Sequence, residues 1–81
     1  MPHYVVSYDL LGDTSLARYT GISTAFEAAG GTRILLSQWF MFGTDPQALY
    51  AMVGPVIGAN ARILITPWVG GIHYNLLAEV P

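Results

Sequence analysis

Apolar residues recur along this chain with two periods, and the places where the period changes mark its elements. His3–Leu10 alternates and is rich in Tyr and Val, which suit a pleated surface, so it predicts a first strand. Leu11–Thr14 holds Gly12 and Asp13 and predicts a loop, after which Thr14 or Ser15 can cap a helix. In that helix Leu16, Tyr19, Ile22, Phe26 and Ala29 form an apolar stripe, with Thr20, Ser23, Thr24 and Glu27 outside it. Gly21 weakens the helix and Gly30-Gly31 ends it. Thr32–Gly43 is strongly strand-like but too long and two-sided for one flat strand. It predicts two strands joined by a kink near Ser37-Gln38, or one strand that bends past its neighbour.

Thr44-Asp45-Pro46-Gln47 predicts a second helix start: Thr44 and Gln47 have capping-box spacing, and Asp45 and Pro46 suit the first turn. Leu49, Met52, Val53 and Val56 follow at helical spacing. Pro55 sits inside this pattern and removes a backbone bond, so the helix is expected to kink or end near Val53. Gly58 and Asn60 close it, and Arg62–Trp68 predicts another strand, with Pro67 tolerable at an edge or strand end. Ile72–Val80 fits either an extra C-terminal strand or a helical turn.

The predicted order is strand, helix, strand, strand, helix, strand over a single domain, 1–81. With both helices on one sheet face, that is an α+β, ferredoxin-like βαββαβ two-layer sandwich. The other face should then also be apolar. Ile34, Leu36, Phe40 and Phe42 alternate with Leu35, Trp39 and Met41, while Ile63 and Ile65 oppose Leu64 and Trp68. Two helices cover one face only. Leu35, Trp39, Met41, Phe40 and Phe42 are therefore expected in the core or in the interface of a homodimer that hides the second face.

Composition strengthens this expectation. The chain is 53% hydrophobic and 10% charged, where soluble domains carry about 25% charged residues. A domain this small buries only about 60% of its unfolded surface, so self-association is a common remedy. The longest charge-free stretches, Pro46–Ala61 and Ile63–Ala78, are shorter than the roughly 20 residues of a membrane span and are broken by Gly and Pro. No Lys or Arg precedes the first apolar run, so the N-terminus does not read as a signal peptide. With no Cys, a disulfide scaffold is excluded and a cytoplasmic address is expected. Arg18, Arg33 and Arg62 are the only Lys or Arg residues, a thin basis for neutralising phosphates, which counts against an RNA or DNA partner.

Among candidate chemistry, Asp9 ends the first strand. Brought near its symmetry mate in a dimer, its carboxylate could hold Mg²⁺ through oxygens and water; alternatively it satisfies loop backbone groups. Ser37 lies at the expected kink without a nearby His in the sequence, so its hydroxyl reads as a backbone partner at a bend. His3 and His73 are too few and too far apart to suggest a zinc site. Trp39, Phe40 and Phe42 could stack bases, but without flanking Lys or Arg they read as core or interface.

YVVSYDL, followed after a Gly-Gly break by RILLSQWF, resembles the small CRISPR-associated spacer-integration subunit and its relatives, which include VapD-type toxins and stand-alone proteins. The positions that carry the likeness are Tyr8, Asp9, Arg33, Ile34, Leu35, Ser37 and Trp39, within roughly residues 3–68. The resemblance implies a ferredoxin-like homodimer with Asp9 as a catalytic, Mg²⁺-binding residue. It implies either a weak toxin-like ribonuclease or a non-catalytic dimeric structural or protein-interaction module. The loop and helix after Asp9, LLGDTSLAR, lack the basic residues usual in that group. A third reading of the element order is a dimeric α+β barrel that holds a small molecule. It requires an apolar pocket between helices and sheet lined by His or Asn.

Overall fold

The computed structural model describes residues 3–69 and 76–78. Its elements are β1 (His3–Leu10), α1 (Leu16–Ala28), β2 (Thr32–Leu35), β3 (Gln38–Phe42), α2 (Pro46–Ile57) and β4 (Ala61–Pro67). The strands form one four-stranded sheet in the order β2-β3-β1-β4, with every neighbouring pair antiparallel. The result is a small α+β domain compatible with a ferredoxin-like sandwich. The expected extra strand over 72–80 falls largely outside the described residues. Leu77 donates its backbone N–H to Ile34 O at 2.8 Å, which sets this part of the tail beside β2, at the edge of the sheet opposite β4.

β1 is central, and its alternation organises the core. Tyr4, Val6, Tyr8 and Leu10 are buried and pack with Ile22 and Phe26 of α1 and Leu49, Val53 and Ile57 of α2. Trp39 and Met41 belong to the same core: their antiparallel partners are Val6 and Tyr4, which point to the same face. Phe26 meets Trp39 edge-to-face at 5.3 Å and Tyr8 at 6.0 Å, the arrangement that aromatic quadrupoles favour.

The helices depart from the sequence pattern in instructive ways. Ser15 caps α1, its hydroxyl accepting the Arg18 N–H, and the helix stops in a Schellman arrangement. Gly30 takes φ +85° while Gly31 N–H reaches Phe26 O at 2.8 Å and Gly30 N–H reaches Glu27 O at 3.0 Å. Leu16 and Ala29, expected on the buried stripe, are exposed because they stand at the two ends of α1, beyond the reach of the sheet. In α2 the cap is Asp45 rather than Thr44: its carboxylate accepts the Ala48 N–H at 2.8 Å, and Pro46 takes the first turn.

The helix does not end near Val53. It continues through Pro55 to Ile57, closed by Gly58 N–H on Gly54 O at 2.8 Å. Two features explain this. Gly54 has no Cβ to clash with the proline ring, and continuation buries Ile57 beside Val53, worth about 1.5–3 kcal/mol against a proline cost of roughly 3 kcal/mol. The buried stripe is consequently Leu49, Val53 and Ile57, leaving Met52 and Val56 exposed.

The β2–β3 segment is a hairpin with its turn at Leu36-Ser37, not one bent strand. An irregularity between Arg33 and Leu35 sets Leu35 opposite Gln38, so Leu35 does not share a face with Trp39 and Met41. Leu36, expected on the sheet face with Phe40 and Phe42, lies in the turn and is exposed for the same reason.

Arg18 ties the two loops at one end of the sheet. Its guanidinium donates to the carbonyls of Leu11 (2.8 Å) and Asp13, and across the fold to Ile57 (3.3 Å) and Asn60 (2.9 Å). Ile57 O lies at the negative end of the α2 dipole, where a cation is favoured. Gly12 completes the junction. At φ +69° the backbone favours glycine, and a Cβ there would stand 2.4 Å from the Asn60 amide nitrogen and push that side chain aside. Asp13 accepts the Ser15 N–H at 2.9 Å; that contact, the Ser15 hydroxyl and Arg18 hold its carboxyl below the usual range.

Two outcomes follow for this junction. Arg18→Met should lower unfolding free energy in urea by about 2–3 kcal/mol, because charged hydrogen bonds are lost and carbonyls are left open; a change comparable to that of an exposed arginine would refute the clamp. The lowered folded value of Asp13 means that its contribution is present above its unfolded value, near 3.8, and is lost as pH falls through the folded one. Acid titration of Asp13→Asn should therefore show a shallower loss of stability below that pH than the parent protein.

Candidate functional site

The sheet face away from the helices divides into an aromatic end and a polar end. At the aromatic end His3 stacks on Phe40 at 4.4 Å and tilts against Phe42 at 4.1 Å, and Phe40 meets the Trp68 ring edge-on at 5.8 Å. Phe40, expected in the core or a dimer interface, is 7% exposed in a single copy, where His3 and Trp68 sit against it. Ile34 is likewise buried. What remains open is Phe42 at 50%, Leu64 at 61% and Leu35 at 42%. Trp39 and Met41 lie under the helices, so Trp39 is not available to stack on a base. His73 lies outside the described residues.

The polar end is a shallow groove of about 320 Å³ along Ser7, Asp9, Ser37, Gln38, Arg62 and Leu64. Ser7 stands between Gln38 and Leu64 in the ladders, and Asp9 stands directly opposite Arg62. Here Arg62 donates to Asp9 Oδ2 at 3.2 Å, with both side chains about 70% exposed (71% and 72%). Asp9 does not serve the loop backbone; its partner is a guanidinium. Ser37 meets no base among the described residues: its carbonyl accepts the Tyr8 N–H at 3.1 Å, and the residue lines the groove wall.

A Mg²⁺ ion at Asp9 requires further hard oxygen donors, commonly carboxylates. Among the described residues no group of three or more His, Cys, Asp or Glu lies together, and the charged neighbour of Asp9 is a cation. The described residues of one copy therefore do not supply a donor set that fits the ion. A symmetry mate would bring a second carboxylate, together with a second Arg62.

Each arginine has a partner within the chain. Arg18 is committed to backbone carbonyls, Arg62 to Asp9, and Arg33 lies over the Trp39 ring at 5.9 Å. The sequence holds few cations for a phosphate backbone, but where each guanidinium goes depends on tertiary contacts that it does not reveal. No helix among the described residues is long and apolar enough to cross a membrane.

A second concavity went unnoticed in the sequence. It lies between the start of α1 and the β2–β3 turn, about 400 Å³, lined by Leu16, Tyr19, Arg33, Leu36 and Ser37. Among the described residues, neither His nor Asn lines it. Nearby in the core, the Tyr8 hydroxyl and Trp39 Nε1 have no hydrogen-bond partner among the described residues. Each such buried group costs about 1–3 kcal/mol. Burial pushes the Tyr8 hydroxyl up, with the adjacent indole N–H of Trp39 pulling down, Tyr19 adding a smaller rise and Arg33 a smaller fall. The two polar atoms sense one another without completing a bond of ordinary geometry.

No protein-family model matches this chain, and neither a curated protein nor a solved structure does.

The groove geometry makes a quantitative expectation. A double-mutant cycle of Asp9→Asn and Arg62→Met should give a coupling of about 0.2–1 kcal/mol that shrinks with added NaCl, as an exposed pair does. A coupling several times larger, or one indifferent to salt, would mean that the pair is shielded.

Proposed function

We propose that this chain is a stand-alone, homodimeric member of the CRISPR integration-subunit and VapD-type superfamily that it resembles, with a ferredoxin-like βαββαβ fold. In this reading it works as a non-catalytic structural or protein-interaction module, and the open sheet face is where two copies meet. The single observation that carries the reading is the disposition of the three arginines. Arg18 is held by backbone carbonyls and Arg62 by Asp9, while Arg33 stands on the helix side over Trp39, so the open sheet face has apolar surface at Phe42 and Leu64 but no unpaired arginine to draw in a phosphate backbone.

A second reading keeps the Mg²⁺-dependent ribonuclease. Its support is the exposed Asp9 carboxylate in a groove with the polar Ser7, Ser37 and Gln38. In that case two Asp9 residues would meet across the two-fold axis and release their Arg62 partners to substrate.

Light scattering at micromolar concentration should return a dimer mass, and Phe42→Glu or Leu64→Glu should return a monomer. Both positions are half-exposed or more in a single copy, so monomer stability should change by less than about 0.5 kcal/mol. A monomeric parent protein would defeat the proposal. RNA incubated with the parent protein and Mg²⁺ should remain intact. Cleavage that disappears in Asp9→Asn would instead select the ribonuclease.

A further inference from the structure

The cleft between α1 and the β2–β3 turn has the features of a built site, and it lies on the helix side of the sheet, sharing Ser37 alone with the Asp9 groove. Leu16 is 81% and Leu36 78% exposed, among the most open large apolar side chains described, and both line this one cleft. Its volume of about 400 Å³ falls in the range of small-molecule pockets, roughly 300–1,000 Å³. Arg33 stands in its wall with no carboxylate partner among the described residues. The Trp39 ring beneath holds the guanidinium in place without neutralising it.

Two buried polar groups lie behind the cleft wall, and neither lines it. Trp39 Nε1 can only donate, and the Tyr8 hydroxyl, kept protonated by burial, has a proton to give. Both lie close to the cleft residues: the Tyr8 ring is 6.4 Å from that of Tyr19, and Trp39 sits under Arg33. A guanidinium beside two open leucines suits one anionic acceptor head on an apolar body.

We propose that this cleft binds a small monocarboxylate with an apolar tail, its head on Arg33 and its tail between Leu16 and Leu36. A phosphate head suits the site less well, since a single guanidinium would face two negative charges. The proposal is independent of the dimer reading.

Octanoate and its neutral isostere octanamide test it on the whole chain, by calorimetry and by the indole N–H signals in ¹H–¹⁵N spectra. Octanoate should bind at least about tenfold more tightly than octanamide and shift the Trp39 indole signal, because the charged head adds a charge-assisted pair. Arg33→Gln should erase that preference. Its thermal midpoint separates lost binding from lost folding. Leu36→Asp, at a turn position open to solvent, should weaken octanoate at least about tenfold through like-charge repulsion while leaving folding and dimer mass unchanged. Equal affinity for the two probes, an unmoved Trp39 signal, or no heat up to about 10 mM octanoate would overturn the proposal. So would a changed oligomer mass in Leu36→Asp, which would assign the cleft to a protein partner.

Discussion

The side-chain alternation of β1 is the constraint from which most of this structure follows. Lying between β3 and β4, β1 must present one row of side chains to each layer. Tyr4, Val6, Tyr8 and Leu10 fill the helix side. That choice sends Val5, Ser7 and Asp9 to the opposite face and fixes, through the ladders, where Trp39, Met41, Arg62 and Leu64 go. A slip of one residue would exchange the rows and bury a carboxylate beneath the helices. The groove around Asp9 is thus a by-product of core formation, placed where the apolar row has already been used.

Much of the fold was legible because it depends on local periodicity. β1, the capped start of α1, its Gly-Gly stop and the two-strand character of residues 32–43 all announce themselves within a few residues. What escaped depended on comparisons between distant segments. Whether Pro55 stops α2 is decided by the core site waiting for Ile57, a tertiary gain that can offset much of a local cost. The misplacement of Leu35 arose from one irregularity in pairing, which reverses the face of every residue beyond it. The site was legible only as a list. Asp9 stood out at a strand end, but its pairing with Arg62 requires knowing that β4, about fifty residues on, lies in register beside β1 (Asp9 and Arg62 are 53 apart).

The disposition of the cations shows why composition alone constrains function poorly. A small number of arginines can still make a binding surface if they converge. Here they diverge: one is drawn between two loops, one is set against an acidic neighbour, and one lies over an indole. Arg18 in particular does work that hydrophobic contacts cannot, joining the carbonyl end of α2 to the loop that precedes α1.

The outward side of α2 carries a further consequence. Gln47 is the sole polar side chain in PQALYAMVGPVI, and Tyr50, Met52, Pro55 and Val56 all face solvent. The helices lie on one side of the sheet and the open strand face on the other, so a pair joined through its sheets would still present an oily helix at each of its two outer poles. Such a pair has a valence of two. Growth by stacking is then limited only by how weakly α2 adheres to its own kind, and colloidal behaviour at high concentration becomes a property written into a single helix.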